Sequence, residues 1–159
     1  IRGREIYPNE ARRLLLNRGG LFVDVAAQVG LADPDNSRGV LLADLDDDGD
    51  LDVLVTNQHG PLSLYRNTLR DGAVKPHFLG LSLGNSVGTT VTIGAQRKEL
   101  QLMGGFAAQA DPRLLFGLGD EPASEVEVKI EWFNGPTETK RLAVDRYHVL
   151  TRPPQAAQR

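Results

Sequence analysis

Cysteine is absent from all 159 residues, which excludes disulfides, thiolate chemistry and zinc–thiolate sites without requiring or excluding an oxidising compartment. Aromatic residues make up only 6% of the chain, with a single Trp, so a row of rings for stacking sugars is hard to assemble. An excess of basic charge is also missing. Eighteen Lys and Arg stand against 21 Asp and Glu, a net charge of −3, and nothing suggests the basic face that nucleic acid requires. No apolar run approaches the length of a membrane span, and no stretch has the build of a signal peptide. The first residue is Ile1 rather than Met, and the chain is expected to be a processed or truncated product. Amphipathic helical periods are almost absent, whereas Gly (17) and Pro (9) are plentiful, which suits many short strands joined by turns. The length allows one ordinary domain or two small ones, each with a core.

The acid that is present is concentrated. Asp33, Asp35 and the six aspartates between positions 44 and 52 fall in one region, while Arg2, Arg4, Arg12, Arg13 and Arg18 make the N-terminus basic. The stretch Asp44-Leu45-Asp46-Asp47-Asp48-Gly49-Asp50-Leu51-Asp52 places carboxylates at alternate positions, with apolar runs on both sides. Carboxylates this dense repel one another, and a hard cation removes that cost while accepting oxygen ligands. With Asp44 as position 1, the side chains of Asp46 and Asp48 fall at 3 and 5, and Gly49 at 6 permits a sharp turn. The Asp50 carbonyl would serve at 7 and the Asp52 carboxylate at 9. Asp47 and the carboxylate of Asp50 are expected to point to solvent. The pattern predicts a calcium loop. An EF-hand would need a bidentate Glu at position 12, which is Val55, and helices on both sides. The flanking runs, residues 39–43 and 51–57, are short and β-branched and predict strands. A phosphatase using Asp44 as nucleophile and Asp46 as acid would want a parallel α/β sheet, which the missing helices argue against.

Around this loop the chain punctuates itself into short elements. Residues 1–13 predict a basic arm, extended over its first nine residues and a plausible docking strap. Leu14-Leu15-Leu16-Asn17, then Arg18-Gly19-Gly20 and Leu21-Phe22-Val23-Asp24-Val25, predict a hairpin whose Gly pair supplies positive φ. Residues 26–31 predict one short helix ended by Gly30, and residues 33–37 a loop. After the aspartate hairpin and a turn at His59-Gly60-Pro61, residues 62–66 alternate as a half-buried strand. Three strands with a calcium loop make a β-meander of the kind that stacks as a propeller blade.

Several of these residues together carry a family resemblance. Leu16-Asn17-Arg18-Gly19, Phe22-Val23-Asp24-Val25, Gly30-Leu31, Arg38-Gly39-Val40, the aspartate loop and Leu64-Tyr65-Arg66-Asn67 resemble an FG-GAP/VCBS repeat. That resemblance implies a blade of an integrin-like β-propeller that binds calcium in the loop. From about His77 onward the chain resembles the ASPIC/UnbV domain that follows such repeats in cartilage-acidic-protein-like proteins. The matching pieces are Gly105-Phe106, Phe116-Gly117-Leu118-Gly119, and Val126-Glu127-Val128-Lys129-Ile130-Glu131-Trp132 with Asn134-Gly135. Phe133 stands where that pattern usually has Pro. The expected boundaries are an arm over 1–13, the repeat over 14–72, the second domain over 73–151 and a flexible tail over 152–159.

The second half predicts strand on its own physics. Residues 78–83, 90–94, 99–103 and 114–116 are short runs between Gly and Pro. Val126, Val128, Ile130 and Trp132 alternate with Glu125, Glu127, Lys129 and Glu131, a strand with one apolar and one wet face. A turn at Asn134-Gly135-Pro136 leads into residues 137–142, and residues 147–150 predict a last strand. The expected fold class is therefore all-β: a propeller-blade-like meander with a calcium loop, plus a small antiparallel sandwich or barrel. His59, His77 and His148 have no ligand-like spacing, the serines lack a nucleophile elbow, and Gly117-Leu118-Gly119 does not open a helix onto a phosphate. Trp132 is expected as a core anchor rather than a sugar platform. The first expectation for function is a non-catalytic, calcium-stabilised β module with protein partners or further repeats, set outside the cytoplasm where weak calcium sites fill. The alternatives are a calcium-dependent carbohydrate-binding module and, behind it, a metal-dependent hydrolase using the aspartate loop.

Overall fold

A computed structural model describes residues 10–105, 108–109, 111–120 and 124–154. Residues 1–9 of the expected arm, most of the expected tail and Phe106 of the second resemblance lie outside these residues. The described chain is all-β, as expected, with strands joined by turns and almost no helix, and none of its sheets closes into a barrel. It begins with a hairpin of β1 (Leu15–Arg18) and β2 (Leu21–Asp24), every residue of which is exposed. Gly19 and Gly20 have φ of +62° and +93°, the pair of left-handed residues that a two-residue hairpin turn requires. Residues 26–30 then form a single turn rather than the expected helix. The Leu31 amide donates to the Ala26 carbonyl at 2.8 Å and Gly30 has φ +75°, the closing pattern of a helix end. One turn carries the nucleation cost without the propagation that would offset it.

Next comes the meander, β3 (Ser37–Ala43), β4 (Asp52–Asn57) and β5 (Ser63–Tyr65), paired antiparallel in that order. Val40 faces Val55 across the first pair, and Leu54 pairs with both Leu41 and Leu64. Successive residues of a strand point to opposite faces. The Val40, Leu42, Val53 and Val55 face and the Leu41, Leu54 and Leu64 face are therefore both apolar. Val40, Leu42 and Leu64 remain more than half exposed. At the end away from the aspartate loop, the buried Arg12 side chain donates to Asp35 (2.6 Å), Asn57 and Ser63 (3.1 Å each) and Ser37 (2.9 Å), and also to Tyr65. This one guanidinium clamps the residues before β1 onto the open end of the meander.

A 3-10 turn at Leu69–Asp71 leads to the second half. There β6 (His77–Ser82), β7 (Thr90–Ile93), β8 (Gln96–Glu99), β9 (Met103–Gly105), β10 (Ala108–Gln109), β11 (Arg113–Gly119), β12 (Glu125–Glu131), β13 (Thr137–Ala143) and β14 (Arg146–Val149) follow in order. They form a three-stranded sheet, β11-β6-β14, and a four-stranded sheet, β13-β12-β7-β8, with a small β9–β10 hairpin lying beside β3. The two larger sheets sandwich one core. Leu79, Leu81, Leu114 and Phe116 come from one side, and Val91, Ile93, Val128 and Ile130 from the other. One pairing departs from the antiparallel expectation: β14 runs parallel to β6 because the chain crosses between sheets after β13. The strand expected over 99–103 is also divided. Leu100 turns fully into the core, exchanging backbone hydrogen bonds with Gly88 and Thr89, and β9 begins only at Met103.

Val128, Ile130 and Trp132 are buried, with Val126 packed at the core's edge, as the alternation predicts. The Trp132 indole N–H donates to Glu138 at 2.8 Å. Trp132→Ala is expected to cost about 3–5 kcal/mol, the usual loss for a buried large aromatic, read as a fall in the denaturant midpoint. A second expectation concerns Asp145, at the turn into β14. Its carboxylate meets His77 Nδ1 at 2.6 Å and accepts the Phe78 amide at 3.3 Å. Burial pushes its pKa up, but His77, the Phe78 amide and Arg70 together hold it below the ordinary value. A depressed carboxylate stabilises the fold above its unfolded pKa and loses that contribution as pH falls through the folded one. The stability difference between wild type and Asp145→Asn should therefore shrink below about pH 3.8, its ordinary value. A difference that is flat from pH 6 to 2.5 would remove this assignment.

Candidate metal centre

The aspartate loop joins β3 to β4, and antiparallel pairing of Ala43 with Asp52 brings its two ends together. Asp44 is 1% exposed. Its Oδ1 accepts the Asp48 amide at 3.1 Å, and its Oδ2 accepts the Gly49 amide at 2.8 Å and the Tyr147 hydroxyl at 2.7 Å. Asp48 Oδ1 accepts the Asp50 amide at 2.9 Å. These bonds coil the backbone so that Asp44, Asp46 and Asp48 each offer an oxygen, all within 4.8 Å of one another. Oxygens bound to one calcium ion at about 2.3–2.6 Å lie no more than about 5 Å apart. The donor set is all oxygen and anionic, and it fits a hard divalent cation.

Asp50 and Asp52 stand differently. The Asp50 carboxylate, expected in solvent, is turned inward and accepts the Arg70 amide at 2.8 Å. Burial raises its pKa, with Asp48 and Asp44 adding to the rise and the Arg70 amide opposing it. The Asp52 carboxylate accepts the Leu45 amide at 3.1 Å and the Asn67 amide at 2.8 Å, closing the base of the loop. Each Asp52 oxygen keeps a second lone pair. Asp47 is exposed, at positive φ, with its carboxylate 2.5 Å from Arg113 Nη1.

Two sets of residues at the site were missed by sequence reasoning. One is Arg66, whose Nε lies 2.7 Å from Asp46 and whose Nη2 lies 3.4 Å from Asp48. Its hydrogen bond is the largest influence holding the Asp46 carboxyl below its ordinary pKa. The other set comes from the second half. The loop sits on the face of the β11-β6-β14 sheet that looks away from the core. A Cβ on Gly49 would fall 2.3 Å from the Phe78 ring, and one on Gly80 would fall 2.2 Å from the Tyr147 ring. Gly49 therefore serves both the turn and a close approach. Tyr147 lies across Gly80, its backbone partner in the sheet, and reaches Asp44. Burial first, and then the Asp44 carboxylate, raises the Tyr147 pKa, so its hydroxyl keeps its proton as a donor. The Arg113 guanidinium covers the Tyr147 ring at 4.5 Å, is held by Asp111, and donates to the Asp44 carbonyl. Arg70 stacks on Phe78 at 4.8 Å and lies 3.6 Å from Asp145. One signal pointed here: Phe78-Leu79-Gly80-Leu81 is unbroken apolar sequence, the mark of a strand covered on both faces. The three histidines do not meet at this or another shared site; His148 Nε2 lies 2.8 Å from the Ala143 carbonyl.

Comparison with known proteins matches both halves. The model of the FG-GAP-like repeat matches residues 6–55, which include the whole aspartate loop, and the model named ASPIC and UnbV matches residues 82–157. Cartilage acidic protein 1 of Homo sapiens is 45% identical over 64 residues, covering 39% of this chain and 10% of that protein. The Mus musculus and Xenopus tropicalis proteins of the same name are 44% and 39% identical over stretches of the same length. The match thus spans about a tenth of the length of these relatives. The aspartate loop thus lies in the stretch similar to an FG-GAP-like repeat, and Arg113 and Tyr147 lie in the stretch similar to the ASPIC and UnbV model.

Proposed function

We propose that this chain is a non-catalytic, calcium-binding β module serving as a structural, adhesion or assembly subunit of a larger extracytoplasmic protein or complex. The observation that carries this reading is the convergence of the Asp44, Asp46 and Asp48 oxygens in a loop turned by Gly49. Those three side chains would hold the ion, with the Asp50 carbonyl and the Asp52 carboxylate completing the set. Calcium would supply the positive charge that relieves repulsion among the carboxylates. Residues 14–72 act as the repeat and residues 73–151 as the second domain. The name of the relatives, an acidic protein of cartilage, fits a calcium-rich setting outside the cytoplasm. Among the described residues the exposed Phe22 and Phe133 lie on different halves of the chain, which lends the carbohydrate reading no support.

Partners follow from the repeat's bare surface. Leu21 and Phe22 on the hairpin, Val40 and Leu42 on one face of the meander and Leu64 on the other are all more than half exposed. Apolar patches of this kind mark surfaces that other protein covers. The repeat packs against further repeats or protein partners, as a propeller blade does.

Calcium should raise the melting temperature in proportion to the logarithm of its concentration once above the dissociation constant. Asp46→Ala should abolish the response, while Asp47→Ala keeps most of it. A melting curve unmoved by calcium and by chelator would rule out a structural site. For assembly, hydrogen exchange on the isolated chain should find β1 to β5 weakly protected next to β6 and β12. A monomer in sedimentation with every strand of the repeat fully protected would count against covered faces.

A further inference from the structure

We infer that the second domain is part of the calcium site: the Tyr147 hydroxyl fixes the Asp44 carboxylate for the ion, so calcium binding and docking of the two halves are one coupled equilibrium. This deepens the calcium reading above and rests on it. Asp44 is the most buried member of the cluster and the first position of the loop. Its Oδ2 is committed to protein, accepting both the Gly49 amide and the Tyr147 hydroxyl, whereas Oδ1 accepts only the Asp48 amide. A carboxylate oxygen has two lone-pair sites, so Oδ1 keeps one for a cation. Tyr147 therefore does for Asp44 what an outer partner does for a metal ligand: it holds the rotamer and leaves one oxygen to the ion.

The tyrosine is itself held from three sides. Gly80 leaves room beneath its ring, Phe78 lies with its centroid 5.9 Å away, and Arg113 stacks above it while donating to the Asp44 carbonyl. The donor to Asp44 is thus placed by β6, β11 and β14, none of which belongs to the repeat. Coupling is reciprocal. If Tyr147 strengthens calcium binding, calcium strengthens the hold of the second domain on the loop by the same factor and sets the orientation of the two halves.

The test is calcium titration by calorimetry on the full chain, comparing wild type, Tyr147→Phe and Asp46→Ala. Tyr147→Phe keeps the ring and loses only the hydroxyl, and it should weaken calcium binding about tenfold or more. A merely structural tyrosine would lower the melting temperature of the calcium-free chain and leave the dissociation constant of the folded protein alone. Should that variant unfold, Gly80→Ala gives the same readout, because its methyl displaces the ring without touching the loop. If wild type binds calcium and the decisive variant binds within twofold of it, the coupling is overturned while the calcium site stands. If wild type does not bind, both fall together.

Discussion

The Asp44 carboxylate accepts hydrogen bonds from two amides of its own loop and from a hydroxyl 103 residues away. Removing a carboxylate from water costs several kcal/mol unless such bonds replace its hydration. The loop alone supplies two of the three, and the second domain supplies the third along with the surface that excludes water. The conformation of the repeat's acidic loop and its docking on the sandwich are consequently one arrangement. Hydrogen bonds to charged groups contribute more than neutral ones, so this small patch of polar contact outweighs its area in holding the halves together.

Docking explains features that neither half explains alone. β6 is buried over its four central residues, Phe78 to Leu81, because the core covers one face and the loop covers the other. Glycine in a strand interior is ordinarily unfavourable, yet Gly80 is the residue over which Tyr147 must lie. Arg70 repeats the pattern. Its amide satisfies Asp50, its guanidinium stacks on Phe78 near Asp145, and its Nε and Nη1 are buried without a hydrogen-bond partner among the described residues. Such groups carry a penalty of about 1–3 kcal/mol or more, which the ring contact and the nearby carboxylate must offset.

How much of this could be read from the chain depends on the range of the interaction. The convergence of Asp44, Asp46 and Asp48 was legible because carboxylates at alternate positions before a Gly turn bring their oxygens together. β12 was legible because burial of one face imposes a period of two. The sandwich followed from such strands, though not the parallel pairing of β14, which depends on a crossover. The turn at residues 26–30 carried a true stop signal, Gly30, but too few residues before it to propagate a helix. Tyr147 and Arg113 were not legible as site residues, since each lies in a strand whose pattern concerns the core, and their contacts to the loop have no local period. The inward turn of Asp50 was hidden for the same reason, its partner being the amide of Arg70. The unbroken run through Gly80 was the one local trace of the interface.

The two ends and the two faces of the meander have opposite character, and this constrains how it can be covered. One end carries the aspartate loop, occupied by the sandwich. The other carries Arg12, whose buried guanidinium joins the residues before β1 to Ser37 at the start of β3, Asn57 at the end of β4 and Ser63 at the start of β5. Both ends are pinned by charge and hydrogen bonds, although Leu45 in the loop and Leu62 before β5 are exposed beside them. The faces are the reverse, with Val40, Leu42 and Leu64 left in water. Burial of apolar area drives association at roughly 25 cal/mol per Å², so the unpinned faces offer a partner a gain that needs no polar contact broken. A neighbour that covers the repeat must come sideways, stacking sheet on sheet, and can do so without disturbing Asp44, Tyr147 or the docked sandwich.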